Sequence, residues 1–185
     1  MREAVIVVDM IYDFVYGVLQ PERGERIIPN IEELLESARK AEKPVIFSGD
    51  AHFATDPEIE VWGEHAMRGS KGAAPLEELP PEPSDYVLEK RTYSAFHETG
   101  LDPLLRSLDV DTVVICGLHT DTCDRHTAAD AFFRGYRVVV PEDCVQAFTD
   151  EAHSSGLEYL EKVYGAKITS SEELAQEWGA IPATR

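Results

Sequence analysis

The sequence predicts an α/β fold, a three-layer α-β-α sandwich around a mainly parallel sheet, on three observations. Short apolar runs recur along the chain, the runs are β-branched and nearly continuous rather than alternating, and the stretches between them carry helical spacing. Continuous apolar strands suit a sheet covered on both faces, and alternation of strand with helix is how parallel strands are connected.

The first run is AVIVVD (4–9), followed by a helix in which Ile31, Leu34, Leu35 and Ala38 keep i, i+3, i+4, i+7 spacing. PVIFSGD (44–50), DYVLEK (85–90) and TVVICG (112–117) are the next three strands. Gly117 then turns the chain, Thr120 or Asp121 serves as N-cap, and a helix runs to about Arg134. YRVVVPED (136–143) is a fifth strand and AKITS (166–170) a weaker sixth, with Leu157, Leu160, Val163 and Tyr164 as the stripe of the helix between them. Residues 51–84 break the pattern, being rich in Pro, Gly and charge and too long for a simple connection. They hold His52, Trp62 and His65, which points to a functional segment. There is no internal repeat, and 185 residues with 43% hydrophobic content suit one domain over 1–185.

With 17 basic against 35 acidic residues, net −18, and no Lys/Arg cluster, the chain is a poor partner for nucleic acid or an anionic membrane. The acid is spread evenly, as on a solvated surface or one adapted to salt. No apolar run is long enough to span a bilayer, and MREAVIVVDM passes straight into a strand pattern, so a cytoplasmic protein is expected. Cys116, Cys123 and Cys144 cannot all pair and show no C-x-x-C spacing, so each is core filler or chemistry.

In an open parallel sheet, ligands bind outside the carboxyl ends of the strands. The polar groups expected there are Asp9, Asp50, Lys90 and, past the Gly117 turn, Cys123. Singly, each reads as a cap or a solvated charge; together at one edge they read as a site. A thiol in the first turn of a helix meets unpaired N–H groups and the positive end of the helix dipole, which favour thiolate, and Lys90 would favour it further. The same N–H groups can form an oxyanion hole. Asp9 is the expected proton acceptor, while His119, His126 and His97 compete for that role. Cys116, inside TVVICG, and Cys144 suit inert core positions. Asp50, His52 and His65 offer three O/N ligands of the kind that hold Zn, Mn or Fe with positions left open.

The segments VVDMIYDF (7–14), SGDAHF (48–53), WGEHAMRGSKGA (62–73), EKRTYSAFHETGL (89–101) and CGLHTDTCDRHTAADAFFRGY (116–136) resemble, in order and spacing, the isochorismatase-like cysteine hydrolases. That superfamily includes nicotinamidases and N-carbamoylsarcosine amidases. The resemblance implies a triad of Cys123 as nucleophile, Asp9 as proton shuttle and Lys90 as stabilising cation. It also implies a cis peptide at Leu118–His119 and an oxyanion hole from the backbone N–H groups of His119 and Cys123. Nicotinamidases bind a metal through positions matched by Asp50, His52 and His65, here expected to be zinc, with manganese or iron as alternatives. Trp62 and Phe14 stand where the substrate ring is lined. The chain departs from the common nicotinamidase pattern in having Ile11 for Gln, Asp124 for an apolar residue, and no further His between the D-x-H pair and Trp62.

The implied activity is hydrolysis of a small carboxamide, nicotinamide to nicotinate and ammonia, through a cysteine thioester. The rival is an N-carbamoylsarcosine amidase-like or other ureido or carbamoyl hydrolase, using the same triad without a metal. Cys123 argues against the isochorismatase branch itself, which cleaves a vinyl ether without covalent catalysis. A non-catalytic module or thiol sensor on the same fold would want a resolving thiol, and Cys116 lies inside an apolar strand. A homo-oligomer is expected, although the acidic helices mark no interface.

Overall fold

Seven parallel strands form one sheet in the computed structural model, which describes residues 2–19 and 23–180. They are β1 (Glu3–Val8), β2 (Val45–Asp50), β3 (Tyr86–Lys90), β4 (Thr112–Leu118), β5 (Arg137–Pro141), β6 (Val145–Gln146) and β7 (Lys167–Thr169). The order is β3-β2-β1-β4-β5-β7, with the two-residue β6 pairing to the end of β4, and every pairing is parallel. The central register sets Val8 beside both Ser48 and Gly117, so β1, β2 and β4 end at the same level.

The near-continuous apolar runs have the cause inferred from sequence. Along β1, Val5 and Val7 pack into one core with α1 (Tyr12–Val15) and α2 (Ile28–Lys40), while Ala4, Ile6 and Val8 pack into a second with α4 (Leu101–Ser107) and α5 (Cys123–Phe133). Both faces of the sheet are therefore covered, giving three layers. α7 (Ser171–Glu177) adds Leu174 to the first core, and α6 (Asp150–Tyr164) adds Leu160 to the second. The α2 stripe of Ile31, Leu34, Leu35 and Ala38 is wholly buried.

Two local expectations shift. The N-cap before α5 is Thr122, not Thr120 or Asp121, and the helix starts on Cys123 itself. In α6, only Leu160 of the expected stripe is fully buried, and Val163 is exposed. The long segment after β2 is ordered, with a short helix α3 (Pro57–Trp62), and is pinned where Ala66 donates its N–H to Asp13 at 2.8 Å and His52 bridges to Met67. β1 and β4 approach so closely at their ends that a Cβ at Gly117 would sit 1.9 Å from the Val8 carbonyl oxygen. With φ of +124°, that position suits glycine alone.

Candidate active site

Strand ends place the reactive groups. Asp9 follows β1 in a left-handed conformation, φ +52°, while Asp50 closes β2, Lys90 closes β3 and Cys123 begins α5. Lys90 Nζ lies 2.7 Å from Asp9 Oδ2 and 2.7 Å from Asp50 Oδ1, and also donates to the Thr92 carbonyl at 3.2 Å. Asp9 Oδ1 accepts the Asp50 N–H at 2.8 Å, and the Cys123 Sγ lies within 4.8 Å of the Asp9 carboxylate. All four side chains are buried.

Burial pushes the Cys123 thiol well up, against the pull of Lys90. The thiolate bias expected from sequence is thus outweighed, because the single ammonium is already shared by two carboxylates. Burial, and then the negative charge of Asp50, also lift Asp9 to about 7 despite Lys90. Burial acts to raise Asp50 too, but Lys90 and then His52 overcome it and hold Asp50 below its ordinary value. A thiol raised by burial thus stands beside a carboxylate lifted to about 7, the pairing of types that a nucleophile and its base require.

None of the competing histidines stands in that position. His119 is buried, its ring stacked on Phe148 at 4.1 Å, and burial followed by the charge of Lys90 lowers it to about 4. His126 is exposed and turns its Nδ1–H to the Thr122 carbonyl, and His97 is exposed. The peptide joining Leu118 to His119 is cis. Cys116 donates to the Ile6 carbonyl from inside β4, and all three cysteines are free and buried. Asp124, next to the thiol, is fully buried with neither carboxylate oxygen bonded, and burial raises it well above its ordinary value.

Beside this group lies a second. Asp50, His52, Glu58 and His65 are buried and each offers an atom within 4.8 Å of the others. Asp50 Oδ2, His52 Nε2, Glu58 Oε1 and His65 Nε2 all lack a hydrogen-bond partner. The outer nitrogens are engaged: His65 Nδ1 donates to the Gly63 carbonyl at 2.8 Å, and His52 Nδ1 lies 3.3 Å from Asp56, which Arg91 holds at about 2. With the protons on Nδ1, the Nε2 lone pairs would face the shared space, as in a metal-binding imidazole whose far nitrogen is held by a carboxylate or carbonyl. Burial and then the charge of Asp50 raise Glu58, against the opposing pull of Lys90 and His52. Glu58 is missing from the sequence-based set. Its α3 position, six residues after His52, gives no periodic signal, but it fills the stretch where nicotinamidases commonly carry their further His.

Between thiol and donors opens a pocket with free space of about 20 Å³, lined by Cys123, Glu58 and His65 and walled by aromatic rings. Phe14 and Trp62, both expected, line it; Leu19, Tyr93, Thr122 and Phe148 were not expected. Trp62 and Phe148 are parallel within 14° at 6.0 Å, and Trp62 Nε1 donates to the Tyr93 hydroxyl at 3.1 Å. Among the described residues, no Lys or Arg lines this pocket.

A family profile for the isochorismatase domain matches residues 3–173. The chain belongs to that family. An uncharacterised isochorismatase family protein of Bacillus subtilis, YaaI, is 33% identical over 178 residues, 95% of this chain and 97% of the relative. The crystal structure of N-carbamoylsarcosine amidase from Thermoplasma acidophilum superimposes with a TM-score of 0.89 at 41% identity, covering 93% of this chain and 98% of that one. Pyrazinamidase of Pyrococcus horikoshii, in complex with zinc, gives 0.86 at 29% identity, covering 92% and 99%. The chain is an isochorismatase-family hydrolase, and the α/β sandwich expected from sequence is its fold. No helix among the described residues is long and apolar enough to cross a membrane.

Proposed function

We propose that this hydrolase opens small, flat, uncharged carboxamides of the nicotinamide type, with Cys123 as nucleophile and a divalent metal beside it. The observation that carries the reading is the set of four buried donor atoms, on Asp50, His52, Glu58 and His65, left without hydrogen-bond partners next to a thiol within 4.8 Å of Asp9. Two imidazoles and two carboxylates suit zinc, with manganese or iron as alternatives. When bound, such an ion would supply a Lewis-acid anchor for a ring nitrogen or carbonyl of the substrate.

The chain's own groups then perform the reaction. Asp9 takes the Cys123 proton as sulfur attacks the amide carbon, and the backbone N–H groups of His119 and Cys123 receive the developing oxyanion. Asp9 returns the proton to the departing nitrogen, ammonia leaves, and a thioester remains. A water activated by Asp9 then adds its hydroxyl to the acyl carbon, and the proton goes back to sulfur. Lys90 stays charged throughout and keeps Asp9 and Asp50 from repelling each other. The aromatic walls orient a planar substrate by stacking.

A second reading, a carbamoyl or ureido amidase, is favoured by the 41% identity to the Thermoplasma acidophilum enzyme. N-carbamoylsarcosine bears a carboxylate, however, and the pocket offers it Glu58 and, among the described residues, no cationic side chain. Ammonia release should be measured on nicotinamide, pyrazinamide and N-carbamoylsarcosine, alongside elemental analysis of the purified protein. Turnover of nicotinamide by metal-containing protein is the expected result. Metal-free protein that turns over only the carbamoyl substrate would replace this reading with the second.

A further inference from the structure

The turn between β4 and α5, residues 119–122, carries the His119 N–H and leads directly into Cys123. A donor to an oxyanion works through its placement, and a misplacement of about 1 Å can cost about 100-fold in rate. What holds this turn therefore bears on the reaction.

Part of the hold is backbone. The His119 carbonyl accepts the N–H groups of Thr122 at 2.9 Å and Asp124 at 3.2 Å, and Thr120 donates its N–H to the Gln146 carbonyl at 3.0 Å. The Thr120 side chain, with 0% exposure, packs against α6.

There α6 meets the turn twice. His153 Nδ1 lies 3.0 Å from Thr120 Oγ1, a side-chain hydrogen bond across 33 residues. Three positions on, Gly156 is buried, and a Cβ there would stand 3.1 Å from Thr120 Cγ2 and 3.3 Å from the Asp121 nitrogen. Residues three apart share one helix face. A glycine inside a helix costs about 0.5–1 kcal/mol relative to alanine, so α6 gives up helix stability at the point where it lies closest to the turn. His153 is absent from the lining of the Cys123 pocket, so it reaches the reaction only through Thr120.

We infer that His153 is a positioning residue: its bond to Thr120 braces the turn from α6 and holds the His119 N–H where the oxyanion forms. The inference rests on the reading of Cys123 as nucleophile.

The test separates two reactions of one thiol. With p-nitrophenyl acetate, sulfur bonds the acetyl carbon through an oxyanion, its proton goes to Asp9, and p-nitrophenolate leaves; the step needs neither the amide nor the metal. With iodoacetamide, sulfur displaces iodide from a saturated carbon and no oxyanion forms. Single-turnover release of p-nitrophenolate, with protein in excess, gives the acylation rate. His153→Leu should slow acylation about tenfold and leave the alkylation rate unchanged. His153→Asn, whose amide can stand in for Nδ1, should restore most of the acylation rate. Thr120→Val should slow acylation as His153→Leu does, and the double variant should be no slower, because both remove the same bond. Unchanged acylation in His153→Leu would overturn the inference, as would acylation and alkylation falling together. Native acylation no faster than that of Cys123→Ala would instead remove the nucleophile reading, and the inference with it.

Discussion

Two buried polar groups share one edge of the sheet and one residue, Asp50, yet they are solved differently. Around Lys90 opposite charges meet: one ammonium sits 2.7 Å from each of two carboxylates, with the thiol within 4.8 Å of both. Around His52 they do not, and four atoms on four residues have no partner. Leaving a buried polar atom unsatisfied costs about 1–3 kcal/mol, so a fold tolerates a convergence of four where something outside the chain completes it. On the reading proposed here, the first group moves protons with what it already holds, while the second holds substrate through an added cation. The contrast tells the two apart without any motif.

The largest expected effect tests the self-contained group. Cys123→Ala should lower amide turnover by about 10⁴-fold or more with circular dichroism intact, because it removes the nucleophile of a concerted unit. Cys116→Ala should keep turnover, and its loss would assign the chemistry to the wrong thiol. Lys90→Met comes next: it leaves two buried carboxylates facing each other, with an expected loss of about 3–5 kcal/mol in urea unfolding. The same variant should move Cys123 alkylation to higher pH, since the cation that opposes the burial effect is gone.

Smaller effects sharpen the second group. Asp56→Asn removes the carboxylate behind His52 Nδ1, and it should weaken zinc affinity by about 10–100-fold, read by competition with a chelator. The nicotinamide KM should rise more than kcat falls; an equal fall in kcat alone would mean that this group acts on the chemistry rather than on binding. The least effect joins the two groups. Asp9 works as a base only when ionised, so in chelated protein kcat/KM should fall about tenfold per pH unit below about 7 and level off above it. Zinc should move that limb to lower pH by offsetting the negative charge of Asp50, which helps to raise Asp9. A limb at the same pH with and without zinc would show the groups to be independent.

Strand ends were legible because their signal is one-dimensional. A β-branched apolar run stops where a polar residue ends burial, and parallel connection puts all such stops on one edge, which brought Asp9, Asp50 and Lys90 together before any coordinates. Cys123 joined them through the turn at Gly117, and the D-x-H pair at the end of the second strand with the His in the following loop marked His52 and His65, as the resemblance also implied. Glu58 and Phe148 were not legible. Each lies in an irregular segment whose path is decided by contacts elsewhere, such as Ala66 with Asp13, and neither carries a periodic mark.

By itself, then, the sequence determined the layering, the edge where reactive groups gather and the identity of most of them, since these follow from hydrophobic period and chain direction. Only the tertiary structure decided the state of those groups. Whether Cys123 rests as thiol or thiolate depends on how one ammonium is divided between Asp9 and Asp50 at full burial, and that Glu58 turns three donors into four depends on where α3 docks. Charge balance and desolvation are sums over all neighbours in space, and no spacing along the chain encodes them.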